Sequence, residues 1–456
     1  MSVEIISIIV LAAMFVIATI FPVNMGALAF VGAFLLGTMF LGMSADDIIA
    51  AFPGSLFLTL VGVTYLFALA QKNGTIDLLV ERMVKLTGNR ASLVPWVMFL
   101  VTAIITAIGA LGPAAVAIIA PIALSFAKKY NINPLMMGML VVHGAQAGGF
   151  SPIAVYGVIV NGLISDAGFA FSPVALFLSS LFFNLGIALI LYVLLGTRKF
   201  AGSRLQQATG SVATARLAAS VGARTSGSDF VSAASTGASS APAPQSPASA
   251  VLAVKTRISF PQVATIIGLI ALAVIALGFK IDVGFVSITI AVVLALINPA
   301  AQKGAIEKIS WSTVLLICGM LTFVGVLQAA GTIEYVSNAV ATLGAPLLAA
   351  LLICYIGAVV SAFASSTAIL AALIPLAIPF LNTGEVSAIG VVCALAVAST
   401  IVDVSPFSTN GALVLANAPE GMDRARFYKQ ILSYGGIVVA VGPLLAWAVL
   451  VLPGWL

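Results

Sequence analysis

Long apolar runs separated by short polar knots make up almost the whole of this chain. Crossing about 30 Å of hydrocarbon takes roughly 20 apolar residues in a helix. Runs of that order occupy residues 4–22, 25–42, 55–71, 134–163 and 174–196, and a second set follows at 259–278, 283–299, 311–329, 386–417 and 430–452. Too few polar residues lie between them to build a water-facing surface, so the pattern predicts an all-α integral membrane protein. Two other stretches, 75–86 and 332–343, mix apolar and polar residues at helical spacing. They predict short amphipathic helices lying on opposite membrane surfaces.

Four stretches have the wrong length for a plain crossing. Residues 93–108 and 113–127 each make roughly 23 Å of helix, and they flank Gly109, Ala110, Leu111, Gly112 and Pro113. Arg90 at one end and Lys128 and Lys129 at the other place both ends on one side, which predicts a re-entrant hairpin. Its counterpart covers 345–381 around Phe363, Ala364, Ser365, Ser366 and Thr367. The segments after the hairpins are too long instead, since 134–163 would form about 45 Å of helix. Gly148, Gly149, Phe150, Ser151 and Pro152 sit in its middle, and Asp403, Val404, Ser405 and Pro406 in that of 386–417. Proline removes a backbone donor and clashes with the preceding turn, so both helices are expected to break. Irregular backbone at membrane depth is tolerated only inside protein or beside a cavity. The two breaks and two hairpin tips are therefore expected to meet near the midplane.

The breaks also mark an internal repeat. Pro121, Ser151, Pro152 and Gly157 return 254 residues later as Pro375, Ser405, Pro406 and Gly411. With slight drift Gly26 pairs with Gly284, Gly74-Thr75-Ile76 with Gly331-Thr332-Ile333, and Gly88 with Gly344. Each half holds five full spans, an odd number, so the copies enter the bilayer from opposite faces. The expected fold is two inverted repeats, each of about five transmembrane helices plus one re-entrant hairpin, with discontinuous helices at the midplane. That is the build of a secondary transporter. The domains are 1–200 for the first repeat, 201–256 for a linker rich in Ser, Ala, Gly, Thr and Pro, and 257–456 for the second repeat. The linker buries too little apolar surface to fold and reads as a flexible tether.

Charge tests this topology independently, because Lys and Arg are retained in the cytoplasm. With both termini outside the cell and the linker inside, 18 of the 19 Lys and Arg residues fall on the cytoplasmic side and only Lys280 outside. Asp46, Asp47, Asp166, Asp282, Glu334 and Glu385 lie on the outer side. The net charge of +5 thus belongs to cytoplasmic loops and is no nucleic-acid footprint. Composition agrees, at 62% hydrophobic and 7% charged residues with a mean hydropathy of +1.21. Glu4 stands where a cleaved leader would be basic, so residues 4–22 are kept as a span of a cytoplasmic-membrane protein. Cys318, Cys354 and Cys393 are scattered through apolar segments, which gives neither a disulfide framework nor a metal cluster. No cofactor is expected beyond a coupling Na⁺ or H⁺.

Asp403 is the acidic residue that falls inside the membrane, where the first half has Gly149. An intramembrane carboxylate is costly and usually belongs to an ion pathway, so cation coordination or proton exchange is expected of it, with capping of the broken helix as the plainer role. Gly109, Gly149, Gln146 and Thr400 are the other candidate cation ligands; Gln146 and Thr400 match at the 254-residue offset, and either ligation or interhelical hydrogen bonding suits them. Ser408, Thr409 and Asn410 follow the second break and line the expected cavity or its wall. Asn161, Asn184 and Asn417 read as interhelical glue, and His143, the single histidine, as an imidazole hydrogen-bonded in the bundle. The predicted spans contain no Lys or Arg, so helix N-termini, hydroxyls and a co-bound cation would have to neutralise an anionic cargo. Asp403 about 6 Å from such an anion would repel it by roughly 3 kcal/mol at an effective dielectric near 20. An anionic substrate therefore favours symport.

At these residues the chain resembles the malonate/dicarboxylate carrier (MatC-like) permeases of the ion transporter superfamily, whose relatives are the divalent anion:sodium symporters. Such symporters carry Ser-Asn-Thr at each hairpin tip. The second tip here reads Ser365-Ser366-Thr367, while the first reads Leu111-Gly112-Pro113 and lacks the signature. The resemblance implies that substrate is held by Gly112, Ser151, Pro152, Ser365, Ser366, Thr367, Ser405, Pro406 and Thr409. It also implies a homodimer that works as an elevator, taking up a small carboxylate with a cation, in contact with membrane lipid. Two other readings stay open: a Na⁺/H⁺ antiporter using Asp403 alone, and an intramembrane hydrolase using His143 with Ser151. The second would leave the inverted repetition unexplained, and metalloenzyme ligands are lacking.

Overall fold

A computed structural model of the chain describes residues 2–21, 23–85, 90–169, 172–200, 258–279, 281–341, 345–362, 366–382, 384, 386–418 and 422–454. The linker expected at 201–256 lies outside the described residues. The first half forms α1 (Val3–Ile20), α2 (Met25–Phe40), α3 (Ala45–Ala50), α4 (Gly54–Lys72), α5 (Thr75–Lys85), α6 (Val94–Ala107), α7 (Gly112–Lys129), α8 (Pro134–Gly149), α9 (Val155–Asp166) and α10 (Pro173–Phe200). The second forms α11 (Phe260–Gly278), α12 (Val283–Ile297), α13 (Pro299–Gln302), α14 (Trp311–Ala329), α15 (Thr332–Ala341), α16 (Pro346–Ser361), α17 (Ser366–Leu381), α18 (Ala388–Ile401), α19 (Thr409–Ala416) and α20 (Arg424–Leu450). Side chains start several of them: Asn24, Asn133, Asp282, Ser387 and Asp423 accept from first-turn amides of α2, α8, α12, α18 and α20. Those amides have no partner within their own helix.

Both long segments break where proline was expected to break them, and both amphipathic stretches are helices. Several boundaries differ by a few residues, and one bears on the hairpin. The second arm of the first hairpin was expected at 113–127, whereas α7 runs 18 residues to Lys129 and carries Pro121 inside it. Its last turn holds Lys128 and Lys129, cations that favour the negative end of a helix. By length alone α7 could cross a bilayer, yet its start at Gly112 lies beside Asn410, just past the break between α18 and α19.

Large apolar side chains stand exposed around the molecule, among them Met39, Leu194, Ile267, Leu296 and Ile437. In water such a surface would aggregate, so it is the lipid-facing wall of a multi-pass membrane protein.

Helix contacts come in exchanged pairs. α2 packs on α14 as α12 packs on α4, α1 on α15 as α11 on α5, and α7 on α19 as α17 on α9. The first exchange rests on glycine. A Cβ at Gly26 would stand 2.0 Å from the Leu315 carbonyl oxygen, and one at its repeat partner Gly284 would stand 2.7 Å from the Thr59 nitrogen. Backbones can approach that closely only without side chains between them. Ser7 meets Thr332 at 2.6 Å and Asn73 donates to Thr265 Oγ1 at 2.6 Å, joining the halves again. Two layers result: α1, α2, α4, α11, α12 and α14 with α5 and α15 in one, and α6–α10 with α16–α20 in the other. α9 and α17 join them, α9 to α4, and α17 to α14 and α15.

Candidate functional site

Each break is pinned to a hairpin by its serine. Ser151 Oγ donates to the Ala107 carbonyl at 2.6 Å, where α6 ends, and Ser405 Oγ donates to the Ala362 carbonyl at 3.1 Å, just past α16. Each hairpin thus reverses beside the break of the helix pair that follows it. The two serine hydroxyls are thereby engaged with backbone, and Ser405 Oγ also accepts from the Ser408 amide at 3.2 Å. Pro152 and Pro406 are half-buried beside them. The chain then turns back so tightly that a Cβ at Gly157 or Gly411 would lie 2.0 Å from the carbonyl oxygen of Ser151 or Ser405.

The helix starts converge in two pairs. Gly112 at the start of α7 lies beside the Asn410 side chain, to which a Cβ would stand at 3.6 Å. Thr367 at the start of α17 stands close to the hydroxyl of Tyr156 on α9. Asn410 and Tyr156 are themselves repeat partners at the 254-residue offset and Gly112 matches Ser366, the neighbour of Thr367, so the two pairs are equivalent to within one residue. The starts of α7, α9 and α19 have no side-chain cap. Apart from the Asn410 amide of α19, which the Asp403 carboxylate takes, their first-turn amides are left to whatever enters the site.

The two contacts differ in chemistry at one position. In the first half Gly149 packs on the ring of Tyr156, at 3.1 Å from an added Cβ. In the second half Asp403 takes the place of Gly149, and its carboxylate accepts from the Asn410 amide at 3.2 Å and from Asn410 Nδ2 at 2.8 Å. The Ser408 hydroxyl close by donates to the Ser405 carbonyl at 2.8 Å. Asp403 is buried, and no basic side chain pairs with it among the described residues. Asn410 Oδ1 is buried without a partner, an acceptor beside a carboxylate with nothing to accept from.

Gln146 and Thr400 meet directly. Gln146 Nε2 donates to the Thr400 carbonyl at 2.8 Å, the same oxygen that accepts from the Asp403 amide at 3.0 Å. Residues matched at the 254-residue offset thus touch one another where the two halves meet. Thr400 Oγ1 turns back to the Ala396 carbonyl at 2.9 Å, whereas Gln146 Oε1 is buried without a partner. Gly109 forms the first tip with φ of +116° against Val63. Ser366 is buried and accepts from Ser361 at 2.9 Å, and Thr409 is exposed. Ser365 lies outside the described residues, as do Phe363 and Ala364. Sequence reasoning did not single out Tyr156; its signal was the offset that pairs it with Asn410.

His143 is satisfied on both nitrogens, by Asn184 Oδ1 at 2.8 Å and Tyr434 Oη at 2.6 Å. With the Ser151 hydroxyl given to Ala107, the Ser–His arrangement of a hydrolase is absent. Asn184 is interhelical as expected, while Asn417 bonds within its own helix, to the Leu413 carbonyl. The three cysteines are buried and free, and the described residues hold no cluster fit for a metal ion. Between the two layers opens a cleft of about 850 Å³ whose lining includes Asp166, Gln328, Glu334 and Asn382.

Residues 1–149 match a protein family described as "Dicarboxylate carrier protein MatC N-terminus", so the resemblance drawn from the sequence holds over that stretch. No curated protein matches the chain. Among solved structures, the YdaH transporter of Alcanivorax borkumensis is similar over 89% of each chain, with a TM-score of 0.56 at 15% identity. The fold is thus that of a membrane transporter.

Proposed function

We propose that this chain is a secondary carrier of the cytoplasmic membrane that takes a small dicarboxylate, malonate- or C4-like, inward together with Na⁺ or H⁺. One observation carries the reading: the uncapped starts of α7 and α9 and the start of α19, whose Asn410 amide the carboxylate already holds, gather beside buried Asp403, with which no basic side chain pairs among the described residues. Helix starts bring partial positive charge and unpaired amides, which suit an anion. Asp403 repels that anion until a cation or proton neutralises it, so cargo and cation enter together. The family match over the first third of the chain supports a dicarboxylate as the cargo.

The cation belongs on the Asp403 side. Asn410 Oδ1 supplies a second oxygen there, Gln146 and Thr400 stand next to it, and Gly109 and Gly149 offer backbone only. Substrate is held by the helix starts at Gly112, Ser366, Thr367 and Thr409, with Ser365 at the same tip, while Ser151-Pro152 and Ser405-Pro406 fix the breaks. The block of α6–α10 and α16–α20 moves as an elevator against the other layer, in a homodimer with both termini outside and the linker in the cytoplasm. Purified protein in vesicles tests this: Na⁺- or H⁺-dependent dicarboxylate accumulation supports it. Collapse of a pH gradient by Na⁺ with no organic anion present would instead identify a Na⁺/H⁺ antiporter.

A further inference from the structure

We infer that an anionic phospholipid binds in a groove between α10 and α20, with its headgroup at Arg426 and Lys429. The two helices both pack on α8 and α18 and leave a cavity of about 630 Å³ between them. Its floor is buried, at Leu135, Leu191 and Val438, and its walls are exposed apolar side chains such as Ile190, Leu194 and Ile437. A second cavity of about 660 Å³ continues it, sharing Phe183, Ile187, Ile190 and Leu445. From Lys429 to Leu450 the groove follows α20 for roughly 32 Å, about the thickness of the hydrocarbon.

Polarity is confined to the ends, and charge to one of them. Arg426 and Lys429 line the groove with Gln430 and Ser433, one turn shallower than the apolar walls. The far end offers the hydroxyls of Ser172 and Ser179. Asp423 is the acidic group nearest in sequence, and it is occupied in capping α20 through the Arg426 amide at 3.0 Å. A ligand with an anionic head and apolar tails matches this distribution, since basic side chains at the interface attract anionic lipid. A second copy of the chain matches it poorly. In a twofold dimer about the membrane normal, both copies would set Arg426 and Lys429 in the same leaflet, cation against cation.

The groove is also wired to the transport site. Tyr434 lines it, and the Tyr434 hydroxyl meets His143, which meets Asn184; Asn184 donates to the Ser180 carbonyl, and Ser180 Oγ donates to the Gln146 carbonyl at 3.0 Å. Occupancy of the groove thus bears on the helix that carries Gln146.

The test is thermal unfolding of the full chain in neutral detergent, titrated with phosphatidylglycerol or with phosphatidylcholine. The midpoint should rise with the anionic lipid and stay flat with the zwitterionic one. R426Q/K429Q, altered only at exposed positions, should keep the wild-type midpoint in detergent alone and lose the rise. Native mass spectrometry should retain one more phosphatidylglycerol on the wild type than on that variant. Equal stabilisation by phosphatidylcholine, an undiminished rise in the variant, or lipid-free disulfide dimers of Ile437→Cys would each overturn the assignment, the last by showing that a second copy covers the face.

Discussion

Ile153 and Phe407 stand at matching places in the two repeats, each directly after a Ser-Pro pair, yet Ile153 is 6% exposed and Phe407 57%. Ile153 is buried in a cluster with Tyr65, Leu66 and Leu69 of α4. Val155 and Val158 are buried as well, whereas their partners Thr409 and Ala412 are exposed. The layer of α6–α10 and α16–α20 therefore buries the break of the first repeat against its neighbour and leaves that of the second open, while α17 adds a second-repeat contact; an elevator would exchange the burial of the two breaks. We expect Phe407→Cys to react with maleimide in resting vesicles and Ile153→Cys to be protected. During turnover with dicarboxylate and Na⁺, Ile153→Cys should become reactive and Phe407→Cys slower. Reactivities that ignore turnover would remove the elevator from the proposal.

Gly411 and Gly157 close the turns after the breaks, and each faces a backbone carbonyl that cannot move aside. Gly411→Ala should cost about 3 kcal/mol or more, the upper end of overpacking, and appear as loss of folded protein in detergent. Gly436, with nothing within 4 Å of an added Cβ, should accept alanine with an unchanged unfolding midpoint.

The breaks were legible in the sequence because proline and glycine act locally, through one missing donor and one missing side chain. Asn410 was harder to rank. It reaches Asp403 seven residues away, a spacing that in a continuous helix shares a face but lies about 10.5 Å apart along the axis, and only the reversal at the break brings the two into contact. The exchange of Gly26 and Gly284 between opposite halves was equally out of reach, since their repeat register names partners but not neighbours. Nothing in the Leu111-Gly112-Pro113 tip announced a partner either; Gly112 gains one only because α19 returns beside it.

Asp403 and Asn410 make one polar pair where the first repeat has Gly149 and Tyr156, so a single cation is expected per substrate. Asp403→Asn should abolish cation dependence of uptake in folded protein. Asn410→Ala removes a hydrogen bond to a charged group, worth about 1.5–3 kcal/mol, and should raise the half-maximal cation concentration by roughly 10- to 100-fold. Isothermal titration giving two cations per chain would contradict the one-pair arrangement.

Gln146 separates ligation from glue. Its Nε2 bond to the Thr400 carbonyl is worth about 1 kcal/mol, and that oxygen keeps the Asp403 amide when Gln146 is lost. Gln146→Leu should therefore lower the unfolding midpoint little while weakening cation affinity through the missing Oε1. A variant with wild-type cation dependence would assign Gln146 to packing alone.

His143 offers the opposite test, of a residue whose bonds are structural. Asn184 spends its amide on the Ser180 carbonyl, so its oxygen accepts from His143, which fixes the proton on Nδ1 and leaves Nε2 to accept from Tyr434. His143→Leu would strand two buried polar groups at about 1–3 kcal/mol each, and Tyr434→Phe would strand one. Because both act on one chain of bonds, the double variant should be less destabilised than the sum of the singles. Uptake by whichever variants fold should keep the wild-type pH profile; a profile that shifts would make the imidazole a participant in proton movement and reopen the choice between Na⁺ and H⁺.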